Sequence, residues 1–317
     1  MKIIYRKSEI GAGKYIGIGI KNGFAEAGHD VLMWDGKDME KLFTEFEPDL
    51  FFGNVNNLNE VNINFLNDHP SIKVVAWSYP WCDIDTTKDM LLVSATQDQA
   101  DIVKKINNFK GIITNYTQKN ADNFYHKWKD NGINVISFPL AADTTTYYPV
   151  EAKKEYRCDI SYVGNYWEKK AKNGIDKYIL PLKEKHNLKI WGEWGWPDGL
   201  CLGKLPFGAD RDVFCSSKIN LTLHEPHSRN LGIDVISRVF NIAACKAFQV
   251  SDYVEEINEF FYEPEIAMCT SVENYYSEIA YYLANARLRE DFAEKAYKRV
   301  LKEHTYKHRV EKLLKAI

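Results

Sequence analysis

Several absences narrow this 317-residue chain before any motif is read. Lys and Arg total 41 against 44 Asp and Glu, so the net charge of -3 gives no overall attraction to nucleic acid or an anionic membrane. A local basic patch stays open. The six cysteines, Cys82, Cys158, Cys201, Cys215, Cys245 and Cys269, form no C-x-x-C pair and have no His at zinc-finger spacing. They read as reduced, mostly buried thiols. No run of about 18 apolar residues occurs, and MKIIYRKSEIG at the start has no apolar stretch of signal-peptide length, so a cytoplasmic location is expected. Internal repeats and low-complexity tracts are absent too. With 10 Pro, 18 Gly, 45% hydrophobic and 27% charged residues, the composition is that of a globular protein and excludes disorder and collagen-like repeats. Aromatics are plentiful, with 19 Tyr and 8 Trp, and serve either cores or stacking platforms.

What is present is alternation. KIIY, VLMW from Val31, DLFF from Asp49, KVVAW from Lys73, GIIT from Gly111 and NVISF from Asn134 have the length and apolarity of buried strands. Helix-length segments lie between most of them, as at Ile18 to Ala27, Met39 to Phe46, Leu58 to Asn67 and Ala121 to Asn131. The pattern breaks in the proline-punctuated PLAADTTTYYPVEAKKEY and restarts with DISYV, LKIW, INLTL, AFQV and IAMC, before a helical end from about Val272. The expected fold class is therefore α/β, with two Rossmann-like, doubly wound parallel-sheet domains facing a cleft and helices at the C-terminus. Residues 1–145 form the first domain, 146–157 a linker and 158–317 the second. In such sheets ligands sit outside the carboxyl ends of the strands. The architecture serves binding proteins, kinases and glycosyltransferases alike, so it does not fix function.

Four places carry candidate chemistry. The loop after the first strand places Gly11 and Gly13 where backbone N–H groups can approach a ligand at a helix N-terminus, or where a tight turn alone needs them. Ile16 stands at the third glycine position of a dinucleotide fingerprint and Tyr15 follows Gly13-Lys14, so neither a dinucleotide nor a phosphate-loop signature is complete. In SRVFNIAACKAFQVSDY, Ser237, Arg238 and Asn241 open a helix, which makes either a diphosphate site or an ordinary capped surface helix. YPWCDID puts Asp83 and Asp85 at a strand's carboxyl end, as a general base or as solvated acids, with Asp83 preferred. Read instead as a metal-binding Asp-x-Asp, the pair is uninformative, because a second one, Asp210 with Asp212, is about what chance gives at this Asp content. His224 and Glu225 end a strand, either touching a ligand or its phosphate or serving structure, and His126 reads as exposed.

The block from Asp159 onward resembles the C-terminal domain of the CgeB-like (spore maturation protein) branch of GT-B glycosyltransferases. The matching pieces are DISYVGNYWEKK, LKIWGEWGW, CSSKINLTLHE and HTYKHRVEKLL, together with the linker FPLAADTTTYYP. SRVFNIAACKAFQVSDY is similar to that family's Arg-x-Phe-Glu-x-x-Ala-Cys-Gly-Ala segment. The resemblance covers about half the chain; in the other half it rests on the glycine loop, AGHDV and strand order. It implies that Gly164 and Asn165 line the diphosphate of a nucleotide-sugar, with Lys169 or Lys170 nearby and Arg238 completing the phosphate site. It also implies that the loop from Trp191 to Trp196 holds the base, with Trp194 available to stack, against the alternative that these tryptophans pack in the domain core. Asn241 stands where relatives carry a ribose-binding Glu, Ile233 replaces the other acidic residue of the pair, and Lys246 replaces a glycine, adding a cation near the same helix.

The expected activity is transfer of a sugar, hexose or pentose, from a nucleoside diphosphate sugar, UDP-linked for preference, to an unidentified acceptor held by the first domain. No cofactor is expected, and Arg238 with lysines fits a metal-independent mechanism better than the Asp-x-Asp does. Two alternatives are a two-domain nucleotide or sugar binder without turnover, and a glycosyltransferase acting on hydroxymethylated bases of viral DNA.

Overall fold

The computed structural model of the chain describes residues 1–8, 11–83 and 93–317. Asp85 lies outside them. The chain divides into two compact units, Met1–Leu140 with Tyr306–Ile317, and Ala141–Thr305.

The first unit is built on a six-stranded sheet in the order β2-β1-β3-β4-β5-β6. Its strands are β1 (Lys2–Arg6), β2 (Asp30–Trp34), β3 (Leu50–Asn54), β4 (Lys73–Trp77), β5 (Phe109–Thr114) and β6 (Val135–Ser137), all paired in parallel. Every apolar run expected to be a strand in this half is one. Helices cover both faces, so Ile3, Ile4, Leu50, Phe52, Val74 and Val75 are fully buried, and two-sided burial is why the strands read as continuous apolar runs rather than alternating ones. The connecting helices are α1 (Gly11–Glu26), α2 (Met39–Phe46), α3 (Glu60–Asp68), α4 (Gln97–Lys104), α5 (Gln118–Phe124) and α6 (His126–Asp130). Local chemistry starts two of them: the Asn59 carboxamide accepts from the Asn62 N–H at the head of α3, and Thr96 with Gln99 forms a capping box on α4.

The second unit carries a five-stranded parallel sheet in the order β11-β10-β9-β7-β8. Its strands are β7 (Cys158–Val163), β8 (Leu188–Trp191), β9 (Ser217–Thr222), β10 (Gln249–Asp252) and β11 (Ala267–Cys269). Single turns α7 (Glu168–Lys170) and α8 (Asp176–Tyr178) flank a π-helical turn, followed by α9 (Ala209–Ser216), α10 (Pro226–Leu231), α11 (Ser237–Ala244), α12 (Val272–Ala284) and α13 (Ala286–Glu303). The stretch read as a linker is anchored within this unit. Tyr147 is buried with its hydroxyl donating to Asp210 at 2.7 Å, and Lys153 pairs with Asp212 at 2.6 Å.

The last helix, α14 (Tyr306–Ala316), belongs to the first unit, although the sequence runs 158–317 together. It packs on α1 at Gly23, where a Cβ would stand 2.6 Å from that of Tyr306; only glycine permits this approach. Buried Arg309 donates from Nε to the Pro139 carbonyl at 3.1 Å, and burial lowers its guanidinium to about 10. The six cysteines are free thiols, with Cys158, Cys245 and Cys269 buried and the other three half-buried. Among the described residues no helix is long and apolar enough to cross a membrane.

Candidate active site

Two loops at the carboxyl edge of the second sheet are zipped together. Gly164, immediately after β7, donates to the Trp191 carbonyl at 2.8 Å, and Tyr166 donates to that of Trp194 at 3.2 Å. The Asn165 carboxamide accepts from the Glu193 N–H at 2.8 Å, and the Trp196 indole donates to the Gly164 carbonyl at 2.9 Å. A Cβ at Gly192 would stand 2.2 Å from the Gly164 oxygen; at Gly195, whose φ is +84°, it would stand 1.8 Å from that of Tyr166. Asn165 therefore shapes the loop. The tryptophans divide by role: Trp191 is buried, Trp196 packs on the core of the sheet, and Trp194 is 52% exposed.

Arg238 reaches the same loop from the first turn of α11. Its guanidinium lies 5.2 Å over the Tyr162 ring, and a Cβ on Gly164 would meet Tyr162 Oη at 2.9 Å and Arg238 Nη2 at 3.0 Å. Among the described residues Arg238 Nη1 and Tyr162 Oη are buried without a hydrogen-bond partner. The N-cap residue Ile236 has no side chain able to cap, so the first N–H groups of α11, including those of Ser237 and Arg238, are left for something other than a cap. Asn241, one turn on, accepts from the Asp143 N–H at 3.4 Å. Lys246 is not brought to this site. It follows the far end of α11, whose last residue lies roughly 9 Å along the helix from Arg238 at 1.5 Å per residue, and pairs with Glu294 at 2.6 Å. Its φ of +53° is the left-handed conformation that glycine favours.

The neighbouring strand ends supply a buried polar group. His224, after β9, is fully buried; its Nδ1 lies 2.7 Å from Asp252 Oδ1 at the end of β10, and the same carboxylate accepts from the His224 N–H. Nδ1–H thus faces the carboxylate, and Nε2 is buried without a partner among the described residues. Arg229 Nε stands 3.7 Å from Asp252. Buried Lys170 pairs with Glu225 at 2.6 Å, leaving Glu225 Oε2 unpartnered among the described residues; Lys169, beside it, is exposed. Tyr275 connects the groups electrostatically. Burial, then the Asp252 carboxylate, pushes its phenol well above its ordinary value, while Arg238 pulls it down. Asp252 and Tyr162 were not singled out from the sequence. The available signal was topological, since β7, β9 and β10 are adjacent and Tyr162, Thr222 and Asp252 stand at or one residue before their ends.

In the first unit, Gly11 and Gly13 lie inside the first turn of α1, Gly11 with φ +56° and open space beside it. Asp83 is exposed and paired, with Lys127 Nζ at 2.7 Å and His126 Nε2 at 3.0 Å. Lys127 first and His126 second hold its carboxyl below the usual range, while the Asn123 carbonyl and Asp83 raise His126. His126 thus has a partner that its position in a polar helix did not reveal. Among the described residues no three His, Cys, Asp or Glu side chains gather as a metal cage.

Comparison with known proteins agrees with the fold. Residues 175–315 match the family described as Glycosyl transferase-like. Alpha-glucosyltransferase in complex with UDP superposes with a TM-score of 0.67 at 12% identity, covering 99% of this chain and 98% of that one. Sucrose-phosphate synthase from Thermosynechococcus elongatus gives 0.66 at 10% identity, covering 99% and 98%. The DNA modifying enzyme beta-glucosyltransferase gives 0.62 at 13%, covering 100% and 97%. A comparison with curated proteins finds no match. The fold is GT-B, and residues 175–315 form a glycosyl transferase-like segment within it.

Proposed function

We propose that the second unit binds the donor, a UDP-sugar, along the edge formed by Gly164, Arg238 and His224, and that the first unit holds the acceptor. The observation that carries this is the meeting of Gly164, Tyr162 and Arg238, where two buried polar atoms have no partner among the described residues and a side chain on residue 164 would block the approach. Buried polar groups are almost always paired, so such atoms fit hydrogen bonds to a ligand. Arg238 and the uncapped N-terminus of α11, with Ser237, form a cationic, N–H-rich end suited to a diphosphate. The same groups stabilise the negative charge that builds on the diphosphate as the sugar departs. Trp194 offers an exposed indole face for the base, and His224 Nε2, with Asp252 fixing the ring, is placed for a sugar hydroxyl or phosphate oxygen. Asn241 and Lys169 are retained as outer contacts.

Asp83 is the candidate base. Lys127 and His126 orient it, but a carboxylate held low is a weak proton acceptor, so a modest contribution is expected. Within GT-B enzymes the segments around Gly164 and Arg238 favour the CgeB-like branch. Incubation with UDP-, GDP- and ADP-sugars, followed for nucleotide release and transfer, tests the reading. A protein stabilised by UDP that releases no product with any donor is a binder, and the transferase reading fails.

A further inference from the structure

At the carboxyl ends of β1 and β2 and the loop after β3, the first unit holds a cavity of about 270 Å³ lined by Arg6, Trp34, Gly36 and asparagines 56, 57, 59 and 62. Arg6 is the last residue of β1 and Trp34 the last of β2. The guanidinium is pinned on one side only. Nη1 donates to the carbonyls of Lys7 at 3.1 Å and Trp34 at 3.3 Å, the group lies 5.6 Å over the Trp34 ring, and a Cβ on Gly36 would stand 2.8 Å from Nη2. Nε is buried without a hydrogen-bond partner, and no carboxylate pairs with Arg6 among the described residues. The edge left over, Nε with Nη2, is the fork that takes a carboxylate in two parallel bonds.

The asparagines are part-committed in a pattern that leaves a definite remainder. Asn56 Oδ1 accepts from Gln99 at 2.6 Å and Asn59 Oδ1 accepts from the Asn62 N–H at 2.9 Å, so each leaves its NH2 to donate. Asn62 Nδ2 donates to the Asn57 carbonyl at 3.0 Å and leaves its oxygen to accept. Neutral donors and an acceptor of this kind suit hydroxyl groups. A single cation suits one negative charge, and the volume lies just below the roughly 300–1,000 Å³ of sites that take drug-sized ligands.

We propose that this cavity binds a carboxylate-bearing monosaccharide, a uronate, as the acceptor unit, with Arg6 on the carboxylate and the asparagines on the hydroxyls. The proposal rests on the glycosyltransferase reading above, and its test separates the two. Binding of methyl glucuronide, methyl glucoside and glucose 6-phosphate is measured by calorimetry on the whole protein, with UDP titrated separately. The wild type is expected to prefer the glucuronide over the glucoside by roughly tenfold or more, the size of a charge-assisted pair. Arg6→Gln is expected to lose that preference while UDP binds as before. Asn59→Asp keeps the cap on α3 and sets a negative charge beside the cavity, so it should weaken the glucuronide selectively and guards against misfolding of the Arg6 variant. Equal binding of glucoside and glucuronide, tighter binding of the phosphate, or a preference that survives Arg6→Gln would each overturn the proposal. Failure of UDP to bind the wild type sinks the donor assignment instead.

Discussion

Arg238→Met should move stability and donor affinity in opposite directions. Methionine keeps the aliphatic stem and removes the guanidinium, and with it the buried Nη1 that has no partner among the described residues. An unsatisfied buried donor costs about 1–3 kcal/mol, whereas the contact over Tyr162 that is also lost returns about 0.5–2 kcal/mol. At the middle of both ranges the unliganded variant is therefore expected to gain about 1 kcal/mol, within about −1 to +2.5 kcal/mol, which at this size corresponds to a Tm rise of a few degrees. UDP binding loses charge-assisted hydrogen bonds worth about 1.5–3 kcal/mol, so Kd rises by roughly 10- to 150-fold. Differential scanning fluorimetry with and without UDP, together with calorimetric Kd values, reads both quantities. A variant that melts well below the wild type shows that Arg238 is a structural cation, and one that binds UDP unchanged removes it from the phosphate site.

Trp194→Ala should weaken UDP by an amount typical of one stacked base, about 1–3 kcal/mol, with little change in Tm because the side chain is exposed; an unchanged Kd by fluorescence titration would remove it from the base site. Gly195→Ala, which combines positive φ with a Cβ 1.8 Å from a carbonyl oxygen, should lower both Tm and UDP affinity, and a crystallographically unaltered loop would contradict the geometry. Lys246→Gly should stabilise by up to ~1 kcal/mol, because relief of the left-handed backbone outweighs an exposed ion pair and the added chain entropy, and it should leave UDP affinity alone. NMR titration should find His126 above the ordinary histidine value near 6.5, moving down in Asp83→Asn. The sign follows: the raised His126 contributes stability that is full below the unfolded value and is lost as pH rises through the folded one. The lowered Asp83 contributes above its unfolded value and loses that contribution as pH falls through the folded one. Both groups are too exposed for the effect on global stability to be large.

The strands were legible because two-sided burial writes them as unbroken apolar runs; KVVAW and LKIW need no partner to be recognised. Arg238 was legible because a helix start and a guanidinium are adjacent in sequence. What was not legible depends on separation. His224 and Asp252 are 28 residues apart and meet because neighbouring parallel strands deliver their ends to one edge, and Asp83 and His126, 43 apart, meet because the loop after β4 bonds to the junction of α5 and α6. The cavity of Arg6 draws on the ends of β1 and β2 and on the segment after β3, whose asparagines look like ordinary turn and helix residues one at a time. Lys246 shows the reverse error: it is near Arg238 in sequence, but eight residues of helix turn proximity along the chain into opposite ends of a rod.

The return of α14 to the first unit has a consequence for how the chain is made. Residues 141–305 are contiguous and can close their sheet as soon as they have been synthesised, but the first unit must wait for Tyr306 to lie against Gly23, a contact between the two ends of the sequence. During synthesis the earlier-made sheet is thus the one completed last, with the α1 face around Gly23 uncovered in the meantime. A fragment ending near residue 145 should carry that uncovered face permanently and aggregate, whereas adding residues 306–317 through a short linker should restore a soluble unit.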